Sequence, residues 1–169
     1  MYDYSRFSDA DLKECGPNLA ALGCGASSME GMADYALARL PDRFALLGHS
    51  MGARIAIRAN ARNAAPFAGY ILVDPPMSGP NRRAYPAKWP WYGDSIVMAA
   101  RGCSAEDMAA FCPTWTPEQQ ALRAEWLHTC HWGAIRIAFD GFHTDDIHQD
   151  LPHLTLPMRL VVAGARAVI

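Results

Sequence analysis

Three residues at fixed spacing, Gly48, Ser50 and Gly52, form the pattern G-x-S-x-G within residues 44–56, FALLGHSMGARIA. The pattern presents a nucleophile where an apolar strand enters it and a helix leaves it, because the tight turn then lifts the serine hydroxyl off the end of the strand. Apolar residues precede Gly48, and residues 51–62 are rich in Ala, Ile and Arg and contain no Pro. The sequence therefore predicts Ser50 as a nucleophile. The alternative is a turn serine that only caps the helix.

The elements on either side of this turn predict a parallel sheet. Residues 44–47 and 69–73 have the pattern of short buried strands, with the helix over residues 51–62 between them. Strand, helix and strand in this order form the unit from which parallel sheets are built. A third strand of the same kind is predicted at residues 160–163, before Gly164.

Helices are predicted both before and after this unit. Ser27 and Glu30 have the spacing of a capping box that begins a helix, and a shorter helix is predicted at residues 9–14. After the second strand, residues 77–90 are rich in Gly, Pro, Asn, Arg and aromatic residues, which predicts an excursion out of the sheet. Helical patterns follow at residues 91–101, at 104–111 with a capping box of Ser104 and Asp107, and at 116–132 with Thr116 as the cap. A polar stretch comes next, at residues 140–153. The predicted division is a partial core at residues 1–76, a helical cap at 77–150 and a return to the core strand at 151–169.

Composition excludes several classes of protein. The 169 residues are 51% hydrophobic and 19% charged, which is typical of a packed globular protein rather than a disordered chain. The net charge is −2 and the Lys and Arg residues are scattered, so no nucleic-acid partner is expected. No apolar run approaches the roughly 20 residues that span a bilayer, and the N-terminus lacks a signal-peptide pattern, so we expect a cytoplasmic protein without a membrane partner. The five cysteines show no C-x-x-C spacing, so neither a disulfide framework nor a metal site is predicted.

The turn, the second strand and the segment after it resemble the α/β-hydrolase superfamily. Within that superfamily, residues 73–76, VDPP, the following Ser78 and Arg83, and residues 111–115, FCPTW, look most like N-formylmaleamate deformylases. Those enzymes hydrolyse a formyl amide in the bacterial degradation of nicotinate. The resemblance implies an α/β fold, a parallel sheet with an inserted helical cap. It also implies a serine hydrolase that acts on a small amide through an acyl-enzyme intermediate.

The resemblance further implies a catalytic triad of Ser, Asp and His in that chain order. Ser50 matches the nucleophile, and the backbone N–H of Met51 would be one donor to the developing oxyanion. Many superfamily members carry the acid after a later strand, but here that place is Ala167 and no carboxylate lies near it. Asp74 is therefore the candidate acid, and the deformylase-like pattern also has its acid there. The alternative is a turn residue that fixes the Asp-Pro-Pro bend.

No residue of this chain matches the histidine of the family, which follows one more strand and helix beyond the position of Ile169. The strands and the oxyanion-hole loop that usually precede the nucleophile are also unmatched. We therefore expect the chain to lack the N-terminal strands and the C-terminal strand and helix of the fold. Its own histidines are interpreted as packing, cap or surface residues: His49, His128, His131, His143, His148 and His153.

A substrate that carries carboxylates would favour a cation near Ser50, and Arg83 lies within the deformylase-like string. The alternative for Arg83 is a solvated basic loop. No cofactor is expected, because the serine mechanism supplies its own nucleophile and acid–base group. The expected partner is a small-molecule amide or ester. The alternatives for function are a carboxylesterase of the same superfamily and a catalytically inactive remnant or binding module. The sequence does not predict the oligomeric state.

Overall fold

The computed structural model describes residues 28–130 and 132–164. Three sequence predictions concern residues outside these ranges. The short helix at residues 9–14, the histidine at position 131 and the empty acid position at Ala167 lie outside the described residues.

The described chain alternates helices with strands until the second strand, continues through a run of helices, and returns to a strand. The helices are α1 (Met29–Leu37), α2 (Met51–Arg62), α3 (Trp89–Ala100), α4 (Ala105–Ala109), α5 (Pro117–Leu127) and α6 (Trp132–Thr144). The strands are β1 (Phe44–His49), β2 (Phe67–Val73) and β3 (Met158–Val161), and a 3-10 helix, Ile147–His153, precedes β3.

The three strands form one parallel sheet in the order β1, β2, β3. The predicted strand, helix, strand unit is therefore confirmed. The register aligns His49 with Val73, and Val73 with Val161. The carboxyl ends of all three strands consequently meet at one edge of the sheet, which is where ligands bind in open α/β sheets.

The strand boundaries differ from the predicted ones because pairing between strands sets them. β1 continues through His49 and β2 begins at Phe67, since the ladder between these strands covers both residues. β3 begins at Met158, earlier than predicted. The backbone N–H of Tyr70 donates to the Pro157 carbonyl at 3.0 Å, which brings the chain into the sheet at that point.

α2 packs against one face of the sheet through small side chains. Ala53, Ala56 and Ala59 are fully buried, and Ile57 is almost so. These residues form a core with Leu72 of β2. Short alanine side chains let the helix lie close to the strands without leaving a void. The same core also contains Ala33, Phe67, Tyr70 and Ile147.

The start of α1 corrects one prediction. Ser28 is the N-cap, and its Oγ accepts a hydrogen bond from the Gly31 N–H at 3.1 Å. The predicted capping box of Ser27 and Glu30 is therefore wrong. The Glu30 carboxylate instead pairs with Arg58 of α2, so it serves a contact between helices rather than its own helix end.

One compact unit contains the described residues between 87 and 136, and its regular elements are helices. The predicted capping box of Ser104 and Asp107 is confirmed at the start of α4. Thr116 caps α5 as predicted, with Gln119 as the reciprocal partner. The core of this unit is formed by Ile96, Ala99, Met108 and Leu127.

The single helix predicted over residues 116–132 is wrong. α5 ends at Leu127, and Thr129 Oγ1 donates to the Trp126 carbonyl at 2.7 Å, which offers the backbone an alternative to continuing the helix. A separate helix, α6, spans residues 133–139, for which no element was predicted, and continues into the first residues of the predicted polar stretch. Its buried residues include Ala134, Phe139 and Phe142.

The second compact unit contains residues 28–86 and 137–164 of the described chain, and the sheet lies within it. The division into core and cap at residues 76 and 150 stays a prediction. Among the described helices, none combines the length and apolar character that crossing a membrane requires.

The first prediction concerns the sheet core. Leu72→Ala is expected to lower the free energy of unfolding by about 2–5 kcal/mol, because the truncation leaves a cavity at a residue that is 2% exposed. Leu160 is its register partner on β3 but is 52% exposed. Leu160→Ala should therefore change the free energy by no more than about 0.5 kcal/mol. Urea denaturation measures both, and equal losses would contradict the assignment of Leu72 to the core.

Candidate active site

Ser50 lies between the end of β1 and the start of α2, in a backbone conformation that is unusual for any residue except glycine. Its φ is 52° and its ψ is −119°. Such a conformation persists only where the surrounding structure holds it, and it is found mainly at functional sites. Here the Ser50 N–H donates to the Val73 carbonyl of β2 at 2.9 Å. The sharp turn predicted from the sequence is therefore present.

The Ser50 side chain does not cap α2, although the residue occupies the N-cap position. The caps of three other helices do accept such a bond, namely Ser28, Ser104 and Thr116. The interpretation of Ser50 as a serine that only caps its helix is therefore wrong. Ser50 instead lines a cavity at the edge of the sheet.

The two glycines of the pattern have different surroundings. A Cβ added to Gly48 would lie 2.5 Å from the Gly52 carbonyl oxygen and 2.7 Å from Ala53 Cα. A Cβ added to Gly52 would meet nothing within 4 Å. Gly48 is therefore required by the close approach of β1 and α2, whereas no steric contact requires Gly52.

Asp74 follows β2 at the same edge of the sheet. Its φ of 44° is also positive, and its N–H donates to the Val161 carbonyl at 2.7 Å. Because His49 pairs with Val73, the next residue on each strand, Ser50 and Asp74, occupy neighbouring positions. Parallel pairing thus brings together two residues that are separated by a whole helix in the sequence.

Ser50, Asp74 and Arg83 line one cavity of about 260 Å³. Three of the four residues predicted for the site are therefore found together. The remaining wall residues are Pro75, Pro76, Met77, Ser78, Ala84, Tyr85, Pro86 and Val162. Of these, Pro75, Pro76 and Ser78 belong to the segments that resemble the deformylases, and none of the eight was predicted as a site residue.

Met51, the fourth predicted residue, is the first residue of α2. Backbone N–H groups in the first turn of a helix have no carbonyl partner within that helix, so they are suited to hold an anion. The Met51 residue also lines a second cavity, of about 240 Å³, together with Glu30 and Asp145. Burial raises the pKa of Asp145, and the Glu30 carboxylate adds to the rise.

Tyr85 is the wall residue with the most extensive aromatic packing. It is 5% exposed, and its ring stacks on Phe142 of α6 with centroids 4.2 Å apart and planes 10° apart. Phe139 approaches the same ring edge-on, at 6.1 Å. The only sequence signal was an aromatic residue within the Pro-rich excursion, because the partners that bury Tyr85 come from a helix that was not predicted.

None of the histidines in the described part of the chain lines the cavity of Ser50. The His143 ring lies edge-on to Tyr85, a wall residue of this cavity, with centroids 6.4 Å apart. His148 Nδ1 lies 3.0 Å from an Asp146 carboxylate oxygen. Within the same described residues, no group of three or more His, Cys, Asp or Glu residues has the arrangement of a metal site.

Comparison with known proteins shows the family of this chain. The model of the alpha/beta hydrolase family matches residues 6–167. This chain is a member of that family. Over 128 residues it is 61% identical to N-formylmaleamate deformylase of Pseudomonas putida, which covers 76% of this chain and 48% of that protein. A crystal structure of a variant of N-formylmaleamic acid deformylase from Pseudomonas putida S16 matches with a TM-score of 0.78 at 60% identity. The match covers 85% of this chain and 57% of that one.

The chain spans about half the length of the relatives that it matches. The predicted family resemblance and the predicted parallel-sheet α/β-hydrolase fold are confirmed. The roles of Ser50, Asp74, Met51 and Arg83 stay predictions.

The second prediction separates the two glycines. Gly48→Ala is expected to lower the free energy of unfolding by at least about 2 kcal/mol, because the new methyl group overlaps backbone atoms that cannot rotate away. Gly52→Ala should be neutral or stabilising by up to about 1 kcal/mol, because alanine favours the helix. Thermal and urea denaturation measure both changes. A Gly48→Ala protein as stable as the parent would contradict the described approach of β1 and α2.

Proposed function

We propose that Ser50 is the nucleophile of a serine hydrolase that removes a formyl group from a small amide such as N-formylmaleamate. The observation that carries the proposal is the strained Ser50, whose side chain leaves its helix uncapped and lines a cavity with Asp74. The identity of 61% to N-formylmaleamate deformylase supports the choice of substrate class. A place in bacterial nicotinate degradation, in the cytoplasm, belongs to the same proposal and rests on the family resemblance.

In the proposed reaction, Ser50 Oγ attacks the formyl carbon while a general base takes the hydroxyl proton. The negative charge then develops on the former carbonyl oxygen, where the Met51 N–H would donate to it. Collapse of this intermediate breaks the bond between carbon and nitrogen, and the nitrogen takes up the proton. The general base then takes a proton from water, which attacks the formyl ester on Ser50. The bond between carbon and Ser50 Oγ breaks as Oγ takes up that proton, and the formic acid released ionises to formate. No cofactor is needed, since every proton and electron pair is supplied by these groups.

Asp74 would orient and stabilise the general base, as the acid does in a Ser, His, Asp triad. Its position beside Ser50 at the carboxyl edge of the sheet supports this role. The described part of the chain contributes no histidine to the cavity. That observation favours a second candidate function, in which the chain binds small amides or esters without turning them over.

Arg83 is the proposed contact for a carboxylate of the substrate. It lines the cavity and is exposed, so its guanidinium is accessible to a bound anion. Its neighbour Arg82 does not line the cavity, and its Nη2 lies 3.4 Å from an Asp146 carboxylate oxygen. The two adjacent arginines therefore form a natural pair for a test.

The third prediction tests the nucleophile. A fluorophosphonate should label Ser50 of the protein in which this sequence occurs, and Ser50→Ala should abolish the label and lower formate release by about a million-fold. Ser104→Ala removes only a helix cap on α4 and should leave both unchanged. Peptide mass spectrometry locates the label, and formate release from N-formylmaleamate reports turnover.

Three outcomes would decide between the alternatives. Unchanged formate release by Ser50→Ala would reject the serine mechanism. A labelled Ser50 with faster cleavage of esters than of formyl amides would favour a carboxylesterase. A protein that binds these substrates but neither reacts with the probe nor turns them over would be the binding module.

The fourth prediction tests the substrate contact. Arg83→Gln is expected to raise the KM for a carboxylate-bearing formyl amide by about tenfold or more, because a charged hydrogen bond is lost, with little change in kcat. Arg82→Gln should leave the KM within about twofold of the parent value, since its side chain faces Asp146. Equal effects of the two substitutions on the KM would reject a specific role for Arg83.

A further inference from the structure

Helix α2 carries an arginine that is completely buried, one turn after Ser50. Arg54 is 0% exposed, and a charged side chain is almost never found fully buried unless it is well bonded. Burial lowers the pKa of its guanidinium, while the nearby Asp145 carboxylate opposes that shift. Within the described residues, the Arg54 Nε is buried without a hydrogen-bond partner, so the bonds of its two terminal nitrogens must offset the cost of burial.

The two terminal nitrogens of Arg54 bond to two different segments. Nη1 donates to the Pro76 carbonyl at 3.2 Å and to the Ser78 carbonyl at 3.1 Å, and it lies 3.4 Å from Ser78 Oγ. Nη2 donates to the Asp145 carbonyl at 2.8 Å and to the Gly141 carbonyl at 3.5 Å. Each acceptor bonded here is a backbone carbonyl or a hydroxyl. These bonds therefore fix the position of the backbone and do not neutralise a charged side chain.

Pro76 and Ser78 are wall residues of the cavity, and Pro76 is separated from Asp74 by a single residue, Pro75. Both prolines have fixed φ angles, which restricts how far Pro76 can move independently of Asp74. Arg54 is therefore rigidly connected to Ser50 through one turn of helix and to Asp74 through a stiff tripeptide.

A second contact reinforces the same arrangement. A Cβ added to Gly79 would lie 2.9 Å from the Asp145 carbonyl oxygen, the atom that also accepts the shortest bond from Arg54. The segment after Asp74 thus lies against the segment at Asp145 with no room for a side chain. Arg54 bonds to both segments at this point.

We propose that Arg54 is a positioning residue that sets the place of Asp74 relative to Ser50 by bonding residues 76–78 to residues 141–145. The inference rests on the proposed function for the roles of Ser50 and Asp74. The connection itself does not depend on that function. A lysine at position 54 would keep the charge, but its single ammonium cannot reach both segments.

Arg58 supplies a matched control one turn farther along α2. It is also buried, at 8% exposure, and its Nε donates to an Asp150 carboxylate oxygen at 2.5 Å while Nη1 pairs with Glu30. None of these three residues lines the cavity of Ser50. Arg58→Lys therefore disturbs a comparable buried arginine on the same helix without touching the segment after Asp74.

The experiment compares Arg54→Lys with Arg58→Lys in the protein in which this sequence occurs. Amide hydrogen exchange of the non-proline residues in 75–83 is expected to be about tenfold faster in Arg54→Lys and unchanged in Arg58→Lys. The rate of Ser50 labelling by a fluorophosphonate should fall by about 100-fold in Arg54→Lys, because small misplacements of reacting groups have effects of that size. In Arg58→Lys the labelling rate should stay within about twofold of the parent value, although both variants are expected to be less stable than the parent protein.

Unchanged exchange of residues 75–83 in Arg54→Lys would overturn the inference. Faster exchange with an unchanged labelling rate would also overturn it, since the connection would then not position the reacting groups. If the parent protein is not labelled at Ser50, the proposed function fails. Faster exchange of residues 75–83 in Arg54→Lys but not in Arg58→Lys would still support the bonding of residues 76–78 to residues 141–145 through Arg54. Should Arg54→Lys not fold, Gly79→Ala carries the same test, because its methyl group would press the same segment away from the Asp145 carbonyl.

Discussion

The close approach between the end of β1 and the first turn of α2 is the constraint on which the rest of the site depends. At Gly48 the backbones of β1 and α2 lie so close together that any Cβ would overlap the Gly52 carbonyl oxygen. The chain must therefore reverse within a single residue, and Ser50 takes a φ of 52° to do so. A conformation of this kind costs about 1–3 kcal/mol and has to be offset elsewhere. The bond from Ser50 to the Val73 carbonyl and the buried alanines of α2 stabilise it.

The same helix joins the strained turn to the remainder of its unit through two buried arginines. Arg58 pairs with carboxylates of α1 and of the 3-10 helix, which is a connection between charges. Arg54 donates to backbone carbonyls of two segments, at Ser78 and at Asp145, and so fixes the backbone of one segment relative to the other. Packing of alanines alone would let α2 slide along the sheet, whereas these directional bonds fix where it sits. Site geometry and fold stability are thus carried by one helix.

Local patterns predicted well those elements that local interactions decide. The turn at Ser50, the helix after it and the capping box of Ser104 and Asp107 depend on residues within a few positions of one another. Prediction failed at α6, because Asp, Gly, His and Thr residues are mixed with its apolar ones. Phe139 and Phe142 of that helix become a buried face only where Tyr85 packs against them. The cap of α1 was misplaced by one residue, since two adjacent serines offer the same hydroxyl.

The sequence by itself determined the alternation of strands and helices, the turn that bears Ser50 and the family to which the chain belongs, because these follow from residue type and short spacing. Only the tertiary structure decided that Ser50, Asp74 and Arg83 share a cavity. The register between β1 and β2 sets that arrangement, and register is a property of pairing between distant residues. The two glycines of the motif look equivalent in sequence, yet only Gly48 faces another backbone. The role inferred for Arg54 likewise depends on carbonyls that are remote in the chain and that folding alone brings within reach.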